Sequence, residues 1–336
     1  MGQDATQTAK QRVVLVVCTC LALLLFVELG ARAALPILAR VDRFYDYRAL
    51  RVLAEDSRGS ASRIWLVGDS TVMGLDVGRA NTPGPVLARA LQERGVDADV
   101  RTVAVPGIGL DNIYEILADL PLQTGDIALV STHLGLVGEY RDDLGGSRSL
   151  SSWQQGIERR VSAVAEISML FRYRDYLSRL PILLAQTTLP QGLAYRLRRT
   201  PPGPLRRESW VHGRLGRQEL EDLAAHYAVI GPDTAALAVK KHLAAHARLK
   251  SRGVVLATYI APLNAALVEQ YGYADWSAMV AAAAAICGGL DAQGVACLDL
   301  MAALPSDHFY DDDHLDAEGY RHLIDVLVPF VLPRID

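Results

Sequence analysis

The hydrophobic and polar pattern divides the chain into two unequal parts. Residues 1–12 are polar and end in Lys10 and Arg12; Val13 to Val27 then runs without a charge or a glycine. As a helix those residues rise only about 22 Å, short of the roughly 30 Å hydrocarbon core of a bilayer. The apolar character resumes from Leu29 to Leu38, and Glu28 and Arg32 stand four apart, where they can pair on one helix face. The expectation is a tilted membrane anchor over 13–38, preceded by a short cytoplasmic segment, 1–12, and followed by a charged stalk, 39–61. The rival reading is a cleaved signal, with Ala31-Arg32-Ala33 as a small-x-small cleavage site. Both readings put the remaining chain outside the cytoplasm, although Arg32, Arg40 and Arg43 blur the charge bias that sets orientation.

Beyond residue 62 the pattern changes to short apolar runs alternating with helical spacing. Strands are expected at 63–67, 100–105, 126–131, 253–260 and 294–300. Helices are expected at 83–94, 110–120, 265–286 and 317–331. Such alternation implies a parallel sheet covered on both faces, here a flavodoxin-like three-layer α/β/α sandwich with five strands. Active sites of such sheets lie at the carboxyl ends of the strands. From about 139 to 250 the alternation breaks, and Pro201-Pro202-Gly203-Pro204 interrupts a stretch of helical character. It is too long for an ordinary loop and reads as a helical insertion.

Composition adds limits. The net charge of −4 offers no global basic field for nucleic acid. Charge is uneven, however: Glu158 to Arg217 holds twelve arginines, no lysine and four acidic residues. A basic insertion beside an anchor suits anionic lipid head groups or an anionic glycan, or is simply a solvated face. The cysteines, 18, 20, 287 and 297, have no zinc-type spacing. Cys287 and Cys297 could pair outside the cytoplasm, but two buried free thiols is the commoner state and the expectation.

Two motifs carry candidate chemistry. Gly68-Asp69-Ser70 follows the first strand. A serine hydroxyl needs a base to become a nucleophile, and a tight turn after a buried strand exposes it. The same turn can aim the Ser70 N–H at a developing oxyanion. The second motif, Asp311-x-x-His314, lies between the last strand and the last helix. It supplies from one loop a base and the acid that orients it. Two other readings compete: an acidic turn capping the last helix through Asp316, and a metal site from Asp307, His308, Asp311, Asp313 and His314. The spacing matches no calcium loop, so neither metal nor cofactor is expected. GDSTVMG lacks the G-x-G-x-x-G of dinucleotide-binding turns.

GDS after the first strand, a glycine after the second and DxxHL before the last helix together resemble the SGNH (GDSL-like) hydrolase family. The similarity covers about 62–140 and 250–332, within a domain spanning 62–336. It implies a serine esterase or acyltransferase with Ser70, His314 and Asp311 as triad. It also implies an oxyanion glycine in VAVPGIGLDN, with Gly107 first and Gly109 in reserve. The third family block, G-x-N-D, is absent: the third strand ends in Ser131-Thr132-His133-Leu134-Gly135. Losing such an amide donor can cost about 2.7–4 kcal/mol of transition-state stabilisation. Thr132 or His133 is the substitute on hand, with Asn112 behind them. Pro262 and Asn264, in YIAPLNAALVEQYG, are similar to a stretch of anchored SGNH-like proteins that act on envelope polymers. The implied substrate is an acyl ester, on a polysaccharide or other envelope component, with any envelope-assembly partner unnamed. The competing expectation is a non-catalytic envelope protein that binds a glycan or a partner.

Overall fold

The computed structural model describes residues 18–19, 22–23, 25–30, 63–74, 77, 79–105, 107–137, 217–228 and 230–335. The stalk and most of the anchor and insertion expected from sequence lie outside these residues. Of the anchor, 18–19, 22–23 and 25–30 have helical backbone, and Leu23, Leu25, Phe26, Val27 and Leu29 are exposed. Among the described residues, no helix is long and apolar enough to cross a membrane.

Strands β1 (Arg63–Gly68), β2 (Asp99–Ala104), β3 (Ile127–Thr132), β4 (Val255–Ile260) and β5 (Ala296–Asp299) form one sheet. Its order is β2-β1-β3-β4-β5 and every pairing is parallel. This is the flavodoxin-like order expected from the sequence. Burial follows position. All residues of β1 and β3 are buried, as inner strands with both faces covered require, whereas edge strand β5 is half exposed.

Alternate residues of β1 feed two cores. Trp65 and Val67 pack with α3 (Leu110–Asp119), α5 (Pro232–Lys250) and α7 (Trp276–Asp291) through Leu117, Ala245 and Ile286. Ile64 and Leu66 pack with α2 (Pro83–Gln92) and α8 (Ala317–Val331) through Leu87, Leu91 and Leu327. The two clusters are the two helix layers on either side of the sheet.

Three expectations change. The helix expected over 265–286 is two helices, α6 (Ala265–Tyr271) and α7. Gly272, at φ 61°, caps the first, and Asp275 caps the second by accepting from the Ala278 N–H. Residues 232–250, placed in the insertion, form the β3–β4 crossover helix α5 within the sandwich. Cys287 and Cys297 form a disulfide joining α7 to β5, not two free thiols.

Candidate active site

Because all strands are parallel, the residues that follow β1, β2, β3 and β5 emerge at one sheet edge. The strand order reverses beside β1, which opens a crevice there. Ser70 begins α1 (Ser70–Met73) just past β1 and is partly exposed. As the first residue of a helix, its N–H has no intrahelical acceptor. Asp69 caps α1: its carboxylate accepts from the Thr71 N–H at 2.9 Å and the Thr71 O–H at 2.7 Å. Asp69 therefore shapes the turn that holds Ser70.

Gly68 allows the close approach of three elements. A Cβ there would lie 2.8 Å from the Cβ of Ser131 and 3.2 Å from the Cβ of Val72. Gly68→Ala is expected to cost about 1–3 kcal/mol by overpacking. Because strain at this point moves the Ser70 turn, activity per folded molecule should fall as well. Thermal unfolding and specific activity of the folded fraction test both parts; an unchanged melting temperature would refute the steric account.

The 311–314 loop brings its groups together as its spacing implies. His314 Nδ1 lies 3.0 Å from both carboxylate oxygens of Asp311. Asp311 is fully buried, and its Oδ1 also accepts the N–H groups of Asp313 at 3.2 Å and His314 at 2.8 Å. The Asn264 side chain donates to the Asp311 carbonyl at 3.1 Å, while its N–H donates to the Asp312 carbonyl at 2.8 Å. Asn264 thus stitches the end of β4 to the loop. His314 Nε2 is buried without a hydrogen-bond partner among the described residues. A ring fixed through Nδ1 with Nε2 unengaged is the arrangement of a general base. Tyr320 in α8 donates its O–H to the carbonyl of Thr71 at 2.8 Å, tying the helix behind this loop to the turn that carries Ser70.

The three consecutive aspartates divide between two partners, His314 and Tyr227. Asp312 Oδ2 accepts the O–H of Tyr227, from α4 (Arg217–Tyr227), at 2.6 Å. Burial, then the charges of Asp313 and Asp311, push Asp312 up to about 7. Asp313 approaches the same imidazole nitrogen as Asp311, with Oδ1 2.6 Å from His314 Nδ1. Burial alone would pull His314 down, but Asp311 and Asp313 outweigh it and hold the imidazolium well above 6.5. A protonated imidazole cannot accept the serine proton. Activity is therefore expected to rise with pH along an acid limb whose midpoint lies above 6.5, the ordinary value. Asp311, Asp313 and His314 are also the group whose ligand atoms converge closely enough to hold a metal, within 4.8 Å of one another. Asp307 and His308 are not among them, and His308 instead faces Asp316 at 3.7 Å.

Gly107 follows β2 and is half-buried at φ 63°, a left-handed conformation that favours glycine. Thr132, expected as a substitute donor, has its hydroxyl engaged away from the Ser70 turn. Its hydroxyl lies 3.1 Å from His242 Nε2 and 3.0 Å from the Thr258 hydroxyl, inside the layer covered by α5. Tyr114 completes this network on His242 Nδ1, and burial lowers the ring to about 3, leaving it neutral. Asn112 is buried within α3. His133 is buried at the site itself, with Nε2 3.4 Å from Asp313 Oδ2. Tyr227 and His242 are residues that sequence reasoning gave no role here, and Asp313 entered it only as a possible metal ligand. The DDDH run advertised Asp313, but spacing alone does not say which carboxylate reaches the ring.

The topology and this edge define an α/β protein of flavodoxin-like order with a serine turn after β1 and a histidine–carboxylate loop after β5 at the same edge of the sheet. No family model matches the chain, and no curated protein matches it. Several solved structures are similar. A member of the lipolytic protein G-D-S-L family from Veillonella parvula has 8% identity and a TM-score of 0.43, the match covering 82% of this chain and 100% of that one. The lipase/acylhydrolase from Enterococcus faecalis has 13% identity and a TM-score of 0.43, covering 82% and 97%. The family 3 carbohydrate esterase from Clostridium thermocellum has 11% identity and a TM-score of 0.39, covering 82% and 96%. Likeness at this level carries no inference about activity, so function is read from the site.

Proposed function

We propose that the chain is a serine-dependent ester hydrolase or O-acyltransferase acting on an acyl ester of a cell-envelope glycan or lipid. The observation that carries this reading is His314: its Nδ1 is held by Asp311 at 3.0 Å and its Nε2 is unengaged among the described residues. His314 Nε2 removes the Ser70 proton as Ser70 Oγ attacks the ester carbonyl. The N–H groups of Ser70 and Gly107 receive the oxyanion. Collapse breaks the ester C–O bond, and His314 returns its proton to the departing alcohol. Water, or a sugar hydroxyl in the transferase version, then attacks the acyl-enzyme with His314 again as base. Asp311 keeps the ring oriented and stabilises its charged form throughout. No step calls for a cofactor.

An extracytoplasmic, membrane-anchored location goes with this reading. Its support is the apolar run over 13–38, the exposed apolar side chains from Leu23 to Leu29, and the Cys287–Cys297 disulfide, which suits an oxidising compartment. The competing reading, a non-catalytic protein that binds a glycan or partner, draws on one observation: His133 stands after β3 and faces Asp313.

A fluorophosphonate probe separates the two. The detergent-solubilised full chain should label at Ser70, located by peptide mass, and both Ser70→Ala and His314→Ala should abolish labelling. A folded wild type that resists the probe above the acid limb would instead support the binding protein.

A further inference from the structure

The Asp311–His314 pair leaves unexplained why a second, partly buried carboxylate lies against the same nitrogen. Asp313 Oδ1 stands 2.6 Å from His314 Nδ1, and Asp313 Oδ2 stands 3.4 Å from Nε2 of the buried His133. One carboxylate therefore lies between two imidazoles, one on the base loop and one at the end of β3. Asp311 is engaged inside the loop, by two backbone N–H groups and the His314 ring.

We propose that Asp313 is a second positioning carboxylate for His314, and that it couples the base to His133. The proposal deepens the reading of His314 as general base and rests on it. On this view the residue after β3 serves the base and not the oxyanion. The site trades a donor at the carbonyl oxygen for a second negative charge on the base. Two carboxylates make a stronger base, but one that is free of its proton only at higher pH.

The groups facing this pair come from several elements. Asp69 follows β1 and raises Asp313, as burial and Asp311 do, while His314 lowers it. His133 comes from the end of β3, with His226 and Tyr227 of α4 beside its ring. Asp312 is engaged by Tyr227, and Tyr273 and Tyr320 both feel the loop carboxylates. Among these, Asp311 and Asp313 are the charges within direct contact of His314 Nδ1.

The test is an NMR titration of nitrogen-labelled histidine in the full chain, run beside the pH dependence of fluorophosphonate labelling. In Asp313→Asn the His314 titration should move to lower pH, and the acid limb of labelling should move with it. Each pH unit of displacement raises the deprotonated fraction of His314 about tenfold below the limb, so the variant should label faster than wild type there. Asp313→Glu should restore most of the wild-type position. His133→Phe, which leaves the loop intact, should move the titration in the same direction by less, because Asp313 loses the ring that stands 3.4 Å from its second oxygen. If Asp313→Asn folds and leaves the His314 titration in place, the role of Asp313 is overturned. If it does not fold, an unmoved titration in His133→Phe overturns the coupling. A wild type that never labels would sink the serine reading, while the imidazole titration would still decide on Asp313.

Discussion

Ser70→Ala is expected to lower kcat for an activated ester such as p-nitrophenyl acetate by about 10⁴–10⁶-fold while leaving the fold intact. The loss follows from the absent Oγ: without it no acyl-enzyme forms, and His314 can only activate water at a site shaped for a serine alkoxide. The fold should survive because Ser70 contributes little to it. Its side chain is partly exposed, and the cap of α1 comes from Asp69. A change at such a position usually stays within about 0.5 kcal/mol. His314→Ala should be as inactive but less stable, since it leaves the buried Asp311 and the half-buried Asp313 without their cation. Urea unfolding and steady-state kinetics on the two variants separate these cases. A Ser70→Ala protein that hydrolyses the ester at near wild-type rate would remove Ser70 from the chemistry altogether.

The same loop shows how far sequence alone reaches. The five strands could be read because inner parallel strands are continuous apolar runs bounded by turn residues. Arg63–Gly68 differs from its expected bounds by one residue at one end, and Ile127–Thr132 by one residue at each end. The closing helix agrees at both ends because Asp316 is a strong cap, accepting from the N–H groups of Glu318 and Gly319. The helix α5 was hidden because its Ala-rich surface, with Lys240, Lys241 and Arg248, resembles the basic helical stretch before it. The break between α6 and α7 lay in an apolar, alanine-rich run where periodicity is weak; the signal was Gly272 followed by a capping Asp275. In the site, the DxxH spacing brings Asp311 onto His314 because three residues span one turn. Tertiary contacts carry no such local signature. Nothing in the sequence states that Tyr227 reaches Asp312, or that His133 stands beside Asp313 while Thr132 turns into the opposite layer. The last point follows from the side-chain alternation of a strand, once His133 is known to leave it.

The largest loss of stability is expected far from this chemistry, at the opposite edge of the sheet. Arg63, the first residue of β1, makes a bidentate pair with Asp126, at 2.9 Å from Nε and 2.8 Å from Nη2, and both residues are buried. Asp126 also accepts the indole N–H of Trp65 at 3.1 Å and the Gln123 N–H at 2.8 Å. Asp126→Ala removes one carboxylate and leaves two donors facing the interior without it, the Arg63 guanidinium and the Trp65 indole N–H. Breaking a buried pair from one side typically costs about 3–5 kcal/mol. For a domain of this size that lowers Tm by roughly 6–20 °C. Replacing both charges, as Arg63→Met with Asp126→Leu, should recover part of the loss, because the uncompensated cation disappears while the buried indole N–H stays unsatisfied. Catalysis by the folded fraction should not change, since the length of β1 puts about 20 Å between Arg63 and Ser70. Thermal melts paired with probe labelling below the transition test both halves. A double variant no more stable than Asp126→Ala would show that the hydrogen bonds of Asp126, and not the stranded charge of Arg63, account for the cost.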